Sequence, residues 1–369
     1  MNGAAAGSAR LRALVSSPVN IAVTLACLVL LAWALPPLLR WALIDAAWSG
    51  GPEACRAAAG ACWPYVGAKA GVFVFGFYPA AERWRPLLAL GVLLALLGGS
   101  LVPRLWGWRL LLAWPAALAL VVWVMGGGLG LAPVPSEAWS GLPLTVLLAS
   151  FALAVGFPLG VLLALGRTSR LPFFRVACTG FIELQRGLPL VSMLFMASVL
   201  APLLVPAGAT PGKLLRADAA FMLVAAAFIA EVIRGGLQAV PPGQAEAAQA
   251  LGLGYWRIMQ KIVLPQCLRV SVPPLVGVAI SFFKDTSLVT VIGLSDLLGA
   301  VGAASRDPAW LGHDVEGYVF AAAVYFSFCF AASRYAAWLE RRMRRGQLGS
   351  PIHVTAAPLS PHAIQEVPA

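Results

Sequence analysis

Charged side chains beside or within apolar runs are the residues of this sequence most able to do chemistry. Lys284 and Asp285 sit inside an apolar stretch and are followed by the hydroxyls of Thr286 and Ser287. Charge within a hydrocarbon layer is costly and often functional. One interpretation is a polar path for a zwitterionic solute, which needs a cationic and an anionic partner. The alternative is a structural ion pair with another span, for instance with Glu231 or Arg234.

Two further charged pairs flank apolar runs. Glu183 and Arg186 precede one run, and Glu231 and Arg234 lie at the end of another. These four side chains are candidates for the same polar path. Glu183 and Arg186 have the alternative role of capping the start of their run.

The cysteines and histidines lack the spacing of a metal site. Cys55 and Cys62 share one long polar loop, so they either form a disulfide or remain two free thiols. His313, His353 and His362 are not paired with one another. No metal ligand set and no catalytic residue are therefore predicted.

A nucleotide site is not predicted in this chain either. The segment that comes nearest to a phosphate-binding loop, Gly208–Lys213, is one residue too short and has no Ser or Thr after its lysine. We therefore expect no cofactor to be bound by this chain.

The elements that must position these residues are membrane spans. The chain has 369 residues, of which 60% are hydrophobic and 11% are charged, against about 25% charged residues in an ordinary soluble domain. This composition excludes a soluble enzyme and predicts an all-α membrane protein. The net charge of +11 is scattered between apolar runs, so membrane topology explains it and no nucleic-acid partner is expected.

Eight apolar runs are long enough, or nearly so, to cross a bilayer as helices. The second and the sixth are short or interrupted. The predicted spans are Val19–Leu39, Leu87–Val102, Leu110–Leu131, Leu142–Leu165, Leu188–Val205, Ala217–Val232, Val272–Ile292 and Tyr318–Leu339.

Basic residues predict the orientation of these spans. With the N-terminus inside, 17 of the 26 Lys and Arg residues fall in cytoplasmic segments, 8 fall outside, and Lys284 remains within a span. The positive-inside rule then predicts that both termini are cytoplasmic. The first span has an alternative interpretation as a cleaved signal peptide, because Arg10 and Arg12 precede it and Ala32-Trp33-Ala34 resembles a cleavage site.

The predicted organisation has two main parts. Residues 1–18 form a cytoplasmic N-terminus, and residues 19–131 form a three-span extension with an outside loop at 40–86. Residues 139–345 form a five-span core with a cytoplasmic loop at 233–270. The tail, 346–369, is rich in Pro, Ala and Ser and is predicted to be a disordered cytoplasmic segment.

The cytoplasmic loop carries the most patterned polar sequence. Pro241-Pro242 should end one helix and begin the next, a short helix over Gln244–Leu251 that Gly252 ends. A second helix is predicted over Tyr255–Leu264, ended by Pro265. The loop therefore has the form of a rigid docking element.

Two faces of this loop are predicted from residue type. A surface of Ala245, Ala247 and Ala248 would let another protein approach closely. An apolar stripe is predicted at Trp256, Met259 and Val263.

Specific residues in this loop resemble a known family. Glu246-Ala247-Ala248, Gly252 and Ile262-Val263-Leu264-Pro265 reproduce the EAA signature of ABC importer permeases, and Gly243 lies just before it. The resemblance implies that cytoplasmic ATPase subunits grip this loop and that ATP and Mg²⁺ bind to those partner subunits. The alternative is an amphipathic helix lying on the bilayer surface.

Three further segments are similar to polar amino-acid importer permeases of this class. They are Glu183-Leu184-Gln185-Arg186-Gly187-Leu188-Pro189-Leu190, Glu231-Val232-Ile233-Arg234-Gly235-Gly236 and Lys284-Asp285-Thr286-Ser287-Leu288. Gln185 and Leu188 depart from the common pattern, which leaves the substrate preference open. The resemblance covers about 139–340 and implies a five-helix type I ABC importer core.

The N-terminal part resembles a subgroup. Asp45–Gly50, Glu53–Arg56, Cys62–Tyr65 and Gly76–Pro79 resemble the outside loop of the larger, eight-span permeases of broad-specificity L-amino-acid importers. That resemblance implies three extra helices before the core, a bacterial inner (plasma) membrane location and a periplasmic amino-acid-binding protein as partner. It also implies a second permease subunit, expected to form a heterodimer with this chain.

The main alternative function is a secondary transporter driven by an ion gradient. Such a protein would fit the hydropathy and the charges at Lys284 and Asp285 equally well. It would not need a compact EAA loop, and the inverted repeats frequent in such folds are not visible. A membrane enzyme or scaffold would leave the loop unexplained as well.

Overall fold

The computed structural model describes residues 16–206 and 209–347, and these residues are organised mainly as helices. The predicted N-terminal and C-terminal tails lie largely outside the described residues. The α-helices are α1 Pro18–Leu39, α2 Pro52–Ala57, α3 Trp63–Phe75, α4 Trp84–Ser100, α5 Trp108–Gly126, α6 Gly141–Arg167, α7 Pro172–Gly187, α8 Leu190–Phe195, α9 Lys213–Ala239, α10 Pro242–Ala250, α11 Tyr255–Ile258, α12 Leu264–Asp285, α13 Leu297–Ala304 and α14 Asp314–Gln347.

Within the described residues, six helices are long and apolar enough to cross a membrane. They are Pro18–Ile44, Trp108–Gly126, Gly141–Arg167, Lys213–Ala239, Tyr255–Ile292 and Asp314–Met343. The protein is therefore an all-α membrane protein, as predicted. Each of these six contains, or largely overlaps, one of the predicted spans.

The two remaining predicted spans are less regular. Pro172–Gly187 and Leu190–Leu204 meet at a bend of 102°, because Pro189 has no N–H to continue the helix and enters the second segment as its N-cap. The predicted span Leu188–Val205 corresponds to the segment after this bend. Helix α4 has 17 residues and corresponds to the predicted span Leu87–Val102.

The third predicted span ends earlier than expected. It was expected to reach Leu131, but α5 ends at Gly126. The next residues leave helical geometry, with φ of +86° at Gly127 and +50° at Leu129. Left-handed backbone is open to glycine at little cost, so the glycine-rich sequence ends the helix although it remains apolar.

Pro265 does not end a helix, contrary to prediction. The chain is helical without a break from Tyr255 to Ile292, and a π-helical segment, Met259–Val263, precedes the proline. There the Leu264 N–H donates to the Met259 carbonyl, one residue further back than in an α-helix. This shift accommodates a residue that has no N–H to donate.

The described residues form two compact units. One comprises the chain up to Gly156, Gly187–Val224 and Phe282–Phe326, and the other comprises Phe157–Arg186, Ala225–Ser281 and the chain from Ser327 onward. The predicted division into a 19–131 extension and a 139–345 core stays a prediction.

In the first unit, the region predicted as an outside loop contains helices α2 and α3 and a disulfide between Cys55 and Cys62, whose Cα atoms are 5.3 Å apart. Tyr65 and Phe73 of α3 are fully buried and stack edge to face, with ring centroids 5.6 Å apart. They share an apolar cluster with residues of α13 and α14 and of the turn between them. We call this cluster the disulfide cap: Cys55, Cys62, Tyr65, Phe73, Leu297, Val301, Ala304, Trp310 and Ala321.

Polar contacts fasten the disulfide cap. Glu316 is 3% exposed, and its Oε1 accepts the Cys62 N–H at 2.7 Å. Lys69 forms an ion pair with Asp307. A charge-assisted hydrogen bond to a buried carboxylate is stronger than a neutral one, so these contacts orient α3 on α13 and α14.

A buried network lies beside the cap in the same unit. Asp296 caps α13, because its Oδ1 accepts the Gly299 N–H at 2.9 Å, and its Oδ2 accepts the Tyr325 hydroxyl at 2.7 Å. The Leu297 N–H donates to Thr145 Oγ1 at 2.9 Å. The Asp296 carboxylate thus links α13 to α14, and the Leu297 N–H links α13 to α6.

Candidate coupling loop and charged clusters

The EAA segment folds as two short helices joined by a tight turn. Pro241 and Pro242 start α10, with Pro242 as its first residue, as predicted. At its end the Leu253 N–H donates to the Ala248 carbonyl at 3.1 Å and the Gly252 N–H to the Gln249 carbonyl at 2.8 Å. With Gly252 at φ +75°, this is a Schellman motif, which only a residue tolerant of left-handed geometry allows without strain.

Small side chains of α10 face the helix that follows it in the coupling loop. Ala248, Ile258 and Val263 are buried together, and Ala245 packs against them. The expectation that Ala245 and Ala248 form an outer surface is therefore wrong, because their small volume admits the following helix instead. Leu253 joins the same cluster, the apolar contact that usually accompanies a Schellman motif.

The predicted apolar stripe is also only partly correct. Val263 is buried and Met259 half-buried, but Trp256 is 65% exposed. Ile258 occupies the buried position that was predicted for Trp256. The π-helical segment changes the periodicity, so that residues five apart, Ile258 and Val263, share the inner face.

The outer face of this loop combines polar and large apolar side chains. Gly243, Glu246, Ala247 and Pro265 are exposed, and Ile262 and Leu264 are half-buried. Leu251 is 81% exposed, Tyr255 53% and Trp256 65%. Large apolar side chains exposed next to one another on a rigid element indicate a protein contact surface. We call Glu246, Ala247, Leu251, Tyr255 and Trp256 the coupling face.

Four of the predicted path residues meet in one ionic cluster. Glu231 accepts from Arg234, with Nε at 2.8 Å, and from Arg167 Nη1 at 3.0 Å. Arg186 Nη1 lies 3.7 Å from the same carboxylate. Glu183 supplies the second carboxylate of the cluster, and its Oε1 accepts a hydrogen bond from Arg167 Nη2 at 2.8 Å.

Arg167 is the member of this cluster that sequence reasoning missed. It is the last residue of α6 and binds both carboxylates, so it joins α6 to α7 and α9. The only signal in the sequence was a basic residue at the end of a span, which indicates topology and nothing more. We call Arg167, Glu183, Arg186, Glu231 and Arg234 the arginine cluster.

The arginine cluster has an excess of positive charge. Three guanidiniums share two carboxylates, and Glu231 is 22% exposed against 57% for Glu183. Arg186 also lies over the Phe228 ring, 5.5 Å from its centroid, a favourable position for a cation. The cluster can therefore exchange partners around Glu231, or accept an anion, without leaving a carboxylate unpaired.

The Lys284–Ser287 segment separates into two kinds of residue. Thr286 is fully buried and donates to the Phe283 carbonyl at 2.8 Å, and the Ser287 hydroxyl donates to the Lys284 carbonyl at 2.9 Å. Both hydroxyls thus donate to backbone carbonyls where the α-helix passes into a 3-10 helix. Lys284 is exposed, Asp285 is half-buried, and among the described residues neither forms an ion pair.

One cluster has the geometry of metal ligands but not the chemistry. The sulfurs of Cys55 and Cys62 and a His313 nitrogen lie within 4.8 Å of one another. Both sulfurs are in the disulfide and therefore have no thiolate to offer a metal. His313 instead lies 3.8 Å from Glu316.

Comparison with known proteins identifies the family. Residues 156–345 match the family described as binding-protein-dependent transport system inner membrane component. The chain is 45% identical over 341 residues to the inner membrane amino-acid ABC transporter permease protein YhdY of Escherichia coli, covering 90% of this chain and 92% of that protein.

Other relatives extend the similarity. The glutamate/glutamine/aspartate/asparagine transport system permease protein BztC of Rhodobacter capsulatus is 35% identical over 402 residues, covering 90% of this chain and 92% of that one. Among solved structures, an amino acid ABC transporter crystallised with histidines is 29% identical with a TM-score of 0.49, and the match covers 55% of this chain and 92% of that one.

These matches span both the predicted extension and the EAA loop. The described helices supply the membrane spans such a protein needs. The chain belongs to the family of binding-protein-dependent transport system inner membrane components, and it is a multi-pass ABC transport permease subunit rather than an enzyme.

Proposed function

We propose that this chain forms part of the translocation path of an amino-acid importer and is driven through its coupling face by ATPase subunits. The observation that supports this proposal most directly is the coupling face. It exposes Leu251, Tyr255 and Trp256 on two short helices that the hydrogen-bonded turn at Gly252 connects. The names of the relatives support amino acids as the substrate class.

The loop is built to transmit displacement. Its second helix continues without a break from Tyr255 to Ser281 within the second compact unit. A movement applied to Tyr255 or Trp256 is therefore carried along the span itself. The buried cluster of Ala248, Ile258 and Val263 keeps α10 from moving independently.

The energy for transport must come from partners. ATP binding on a pair of cytoplasmic ATPase subunits, and a loaded periplasmic amino-acid-binding protein, have to favour the outward-open state more than the inward-open state. A ligand that binds both states equally shifts neither. In this proposal ATP and Mg²⁺ bind only to the ATPase subunits.

The remaining parts of the assembly follow from the same proposal. A second permease, forming a heterodimer with this chain, completes the path, and the lipid bilayer is that of the bacterial inner membrane. Both termini face the cytoplasm together with the coupling loop. The arginine cluster and the Lys284–Asp285 pair are the proposed polar lining.

Pull-down of the detergent-solubilised protein tests the coupling face. We expect wild type to retain a P-loop ATPase in stoichiometric amount, and Glu246→Ala combined with Gly252→Asp to lose it. Trp256→Ala removes an exposed side chain only, so it should weaken capture at least tenfold. Trp33→Ala is the matched control, because Trp33 is 76% exposed on α1, away from the loop in sequence.

The contrary outcome is equally specific. A well-folded wild-type protein that captures no ATPase, yet takes up amino acids in liposomes under an ion gradient, would contradict the proposal and identify a secondary transporter. Equal capture by wild type and by the double variant would reject the coupling face alone.

A further inference from the structure

The buried disulfide of the cap has an imidazole beside it. A His313 nitrogen and the sulfurs of Cys55 and Cys62 all lie within 4.8 Å of one another. Cys55 is 1% exposed and Cys62 is fully buried, whereas the His313 side chain is 14% exposed. Sulfurs that are bonded to each other offer no thiolate to a cation. Reduction of the disulfide would leave two enclosed thiols facing an imidazole, which is the donor set of a metal site.

Glu316 adds a fourth donor group to the same place. Its Oε1 lies 3.8 Å from His313 Nδ1 and accepts the Cys62 N–H at 2.7 Å. The hydrogen bond holds this carboxylate, which is 3% exposed, next to the cysteine. A carboxylate can ligate zinc directly or orient the imidazole that does. Two sulfurs, one nitrogen and one carboxylate are therefore gathered before any metal is present.

The spacing of these atoms suits a tetrahedral zinc ion. Zinc lies about 2.3 Å from sulfur and about 2.0–2.1 Å from nitrogen, so neighbouring ligand atoms are roughly 3.3–3.8 Å apart. The sulfurs and the His313 nitrogen are within 4.8 Å, and the Cα atoms of Cys55 and Cys62 are 5.3 Å apart. Side-chain rotation is enough to close the remaining difference. Thiolate and imidazole donors select Zn²⁺ over Mg²⁺ and Ca²⁺.

We propose that the disulfide cap becomes a Zn²⁺ site when its disulfide is reduced, with the Cys55 and Cys62 thiolates, His313 and Glu316 as donors. A dithiol reductant supplies two electrons and two protons, is itself oxidised to a disulfide, and leaves Cys55 and Cys62 as thiols. Each thiol then releases its proton to water as zinc binds. This site goes beyond the proposed import function and does not depend on it.

The two states of the cap would connect different elements. The disulfide links α2 to the start of α3. A bound zinc would also connect these two helices to α14, because His313 immediately precedes α14 and Glu316 lies in its first turn. The free energy of metal binding adds to that of folding. The reduced cap would therefore regain through the metal the stability that it loses with the covalent bond.

Metal titration of the purified, full-length protein in detergent tests this proposal. A phosphine reductant is applied and then removed under argon, and alkylation with mass spectrometry confirms that Cys55 and Cys62 are thiols. Co²⁺ is the probe, because it occupies zinc sites and gives a thiolate-to-metal charge-transfer absorption. We expect reduced wild type to bind one Co²⁺ per chain with this absorption and to exchange it for Zn²⁺. Oxidised wild type should show no such absorption.

Variants assign the donors. Cys55→Ser and His313→Ala should each lose stoichiometric Co²⁺ binding in the reduced protein. Glu316→Gln keeps the shape of the side chain and should weaken Zn²⁺ binding about tenfold or more. Cys27→Ser, at an exposed free cysteine, is the matched control and should bind as wild type. If Cys55→Ser fails to fold, His313→Ala carries the same prediction, because its side chain is partly exposed.

Thermal unfolding provides a second readout. Zn²⁺ should raise the thermal midpoint of reduced wild type and leave those of oxidised wild type and reduced His313→Ala unchanged. Three results would each overturn the proposal: a disulfide that reductant cannot open in the folded protein, a reduced wild type without the charge-transfer absorption, and equal metal binding by wild type and His313→Ala. The last result would assign the metal to other thiols of the chain.

Discussion

The disulfide cap and the arginine cluster both join helices that are distant in sequence, and they use different forces. The cap packs α3 against α13 and α14 through the fully buried rings of Tyr65 and Phe73, and its disulfide links α2 to the start of α3. The arginine cluster joins α6, α7 and α9 through guanidinium–carboxylate contacts that remain partly exposed.

The difference bears on which region is able to rearrange. Apolar burial is lost only by separating the packed helices, which costs its full stabilisation, and the disulfide limits the freedom of the chain between α2 and α3. In the arginine cluster one carboxylate, Glu231, is within reach of three guanidiniums, so one contact can replace another at small cost. The cap is thus suited to a fixed structure and the cluster to a moving one.

The largest effect is expected from removing an aromatic ring in the cap. Phe73→Ala leaves a cavity between Tyr65 and Phe320, whose ring centroid is 5.3 Å from that of Phe73. A fully buried Phe→Ala change costs about 3–5 kcal/mol, read as a large fall in the thermal midpoint of the purified protein. Phe77→Ala is the control, because Phe77 is 56% exposed. Equal midpoints for both variants would show that the cap is not a packed core.

The second effect is loss of the disulfide. Cys55→Ala with Cys62→Ala opens a loop with a sequence separation of 7, for which chain entropy predicts roughly 2–3 kcal/mol. Thermal unfolding with and without reductant measures it, and reductant should affect wild type only. Cys27→Ala, at an exposed free cysteine, should change nothing. If reductant leaves the thermal midpoint of wild type unchanged, the disulfide does not stabilise the protein.

The third prediction concerns the arginine cluster. Glu231→Gln leaves three guanidiniums around a neutral amide and should cost about 2 kcal/mol, less than a fully buried pair because the site is partly solvated. Glu183→Gln is the matched control, since Glu183 is 57% exposed with one ion-pair partner, and it should cost at most about 0.5 kcal/mol. Comparable losses from both substitutions would mean that Glu231 is not the centre of the cluster.

The smallest effect is a pH dependence of the cap. The hydrogen bond from Lys69, with the Ala309 N–H, lowers the pKa of Asp307 below its ordinary value. A lowered folded-state pKa stabilises above the unfolded pKa of about 3.9 and the contribution disappears as pH falls through the folded value. The difference in thermal midpoint between wild type and Asp307→Asn should therefore be present at pH 6 and disappear as the pH falls through the lowered folded-state pKa of Asp307. A difference that persists in acid would exclude the ion pair as its source.

Local features of the fold could be predicted from sequence because each depends on a few neighbouring residues. Pro241-Pro242 and Gly252 set the ends of α10 as expected. The helical spans follow from apolar composition. Two predicted helix ends were wrong. The helix continues past Pro265 because a π-helical segment precedes the proline. Helix α5 ends before the apolar sequence does, because the glycines after Gly126 adopt left-handed backbone geometry.

The side-chain partners could not be predicted in the same way. Arg167 meets Glu183 and Glu231 across 16 and 64 residues of chain, and no spacing rule links such positions. In the sequence, Asp218 is a single acidic residue at the edge of an apolar run, and nothing nearby indicates that it is buried. In the structure it is 6% exposed, and its Oδ1 accepts no hydrogen bond from any described residue.

The sequence by itself determined the class of protein, its helical spans and the EAA loop that identifies the family, because composition, periodicity and motif are properties of neighbouring residues. Only the tertiary structure decided that Ala245 and Ala248 face inward, that Arg167 is shared by two carboxylates and that Asp218 is buried. Those arrangements depend on how separate helices pack, and packing is set by the shape and charge of all the surfaces that meet.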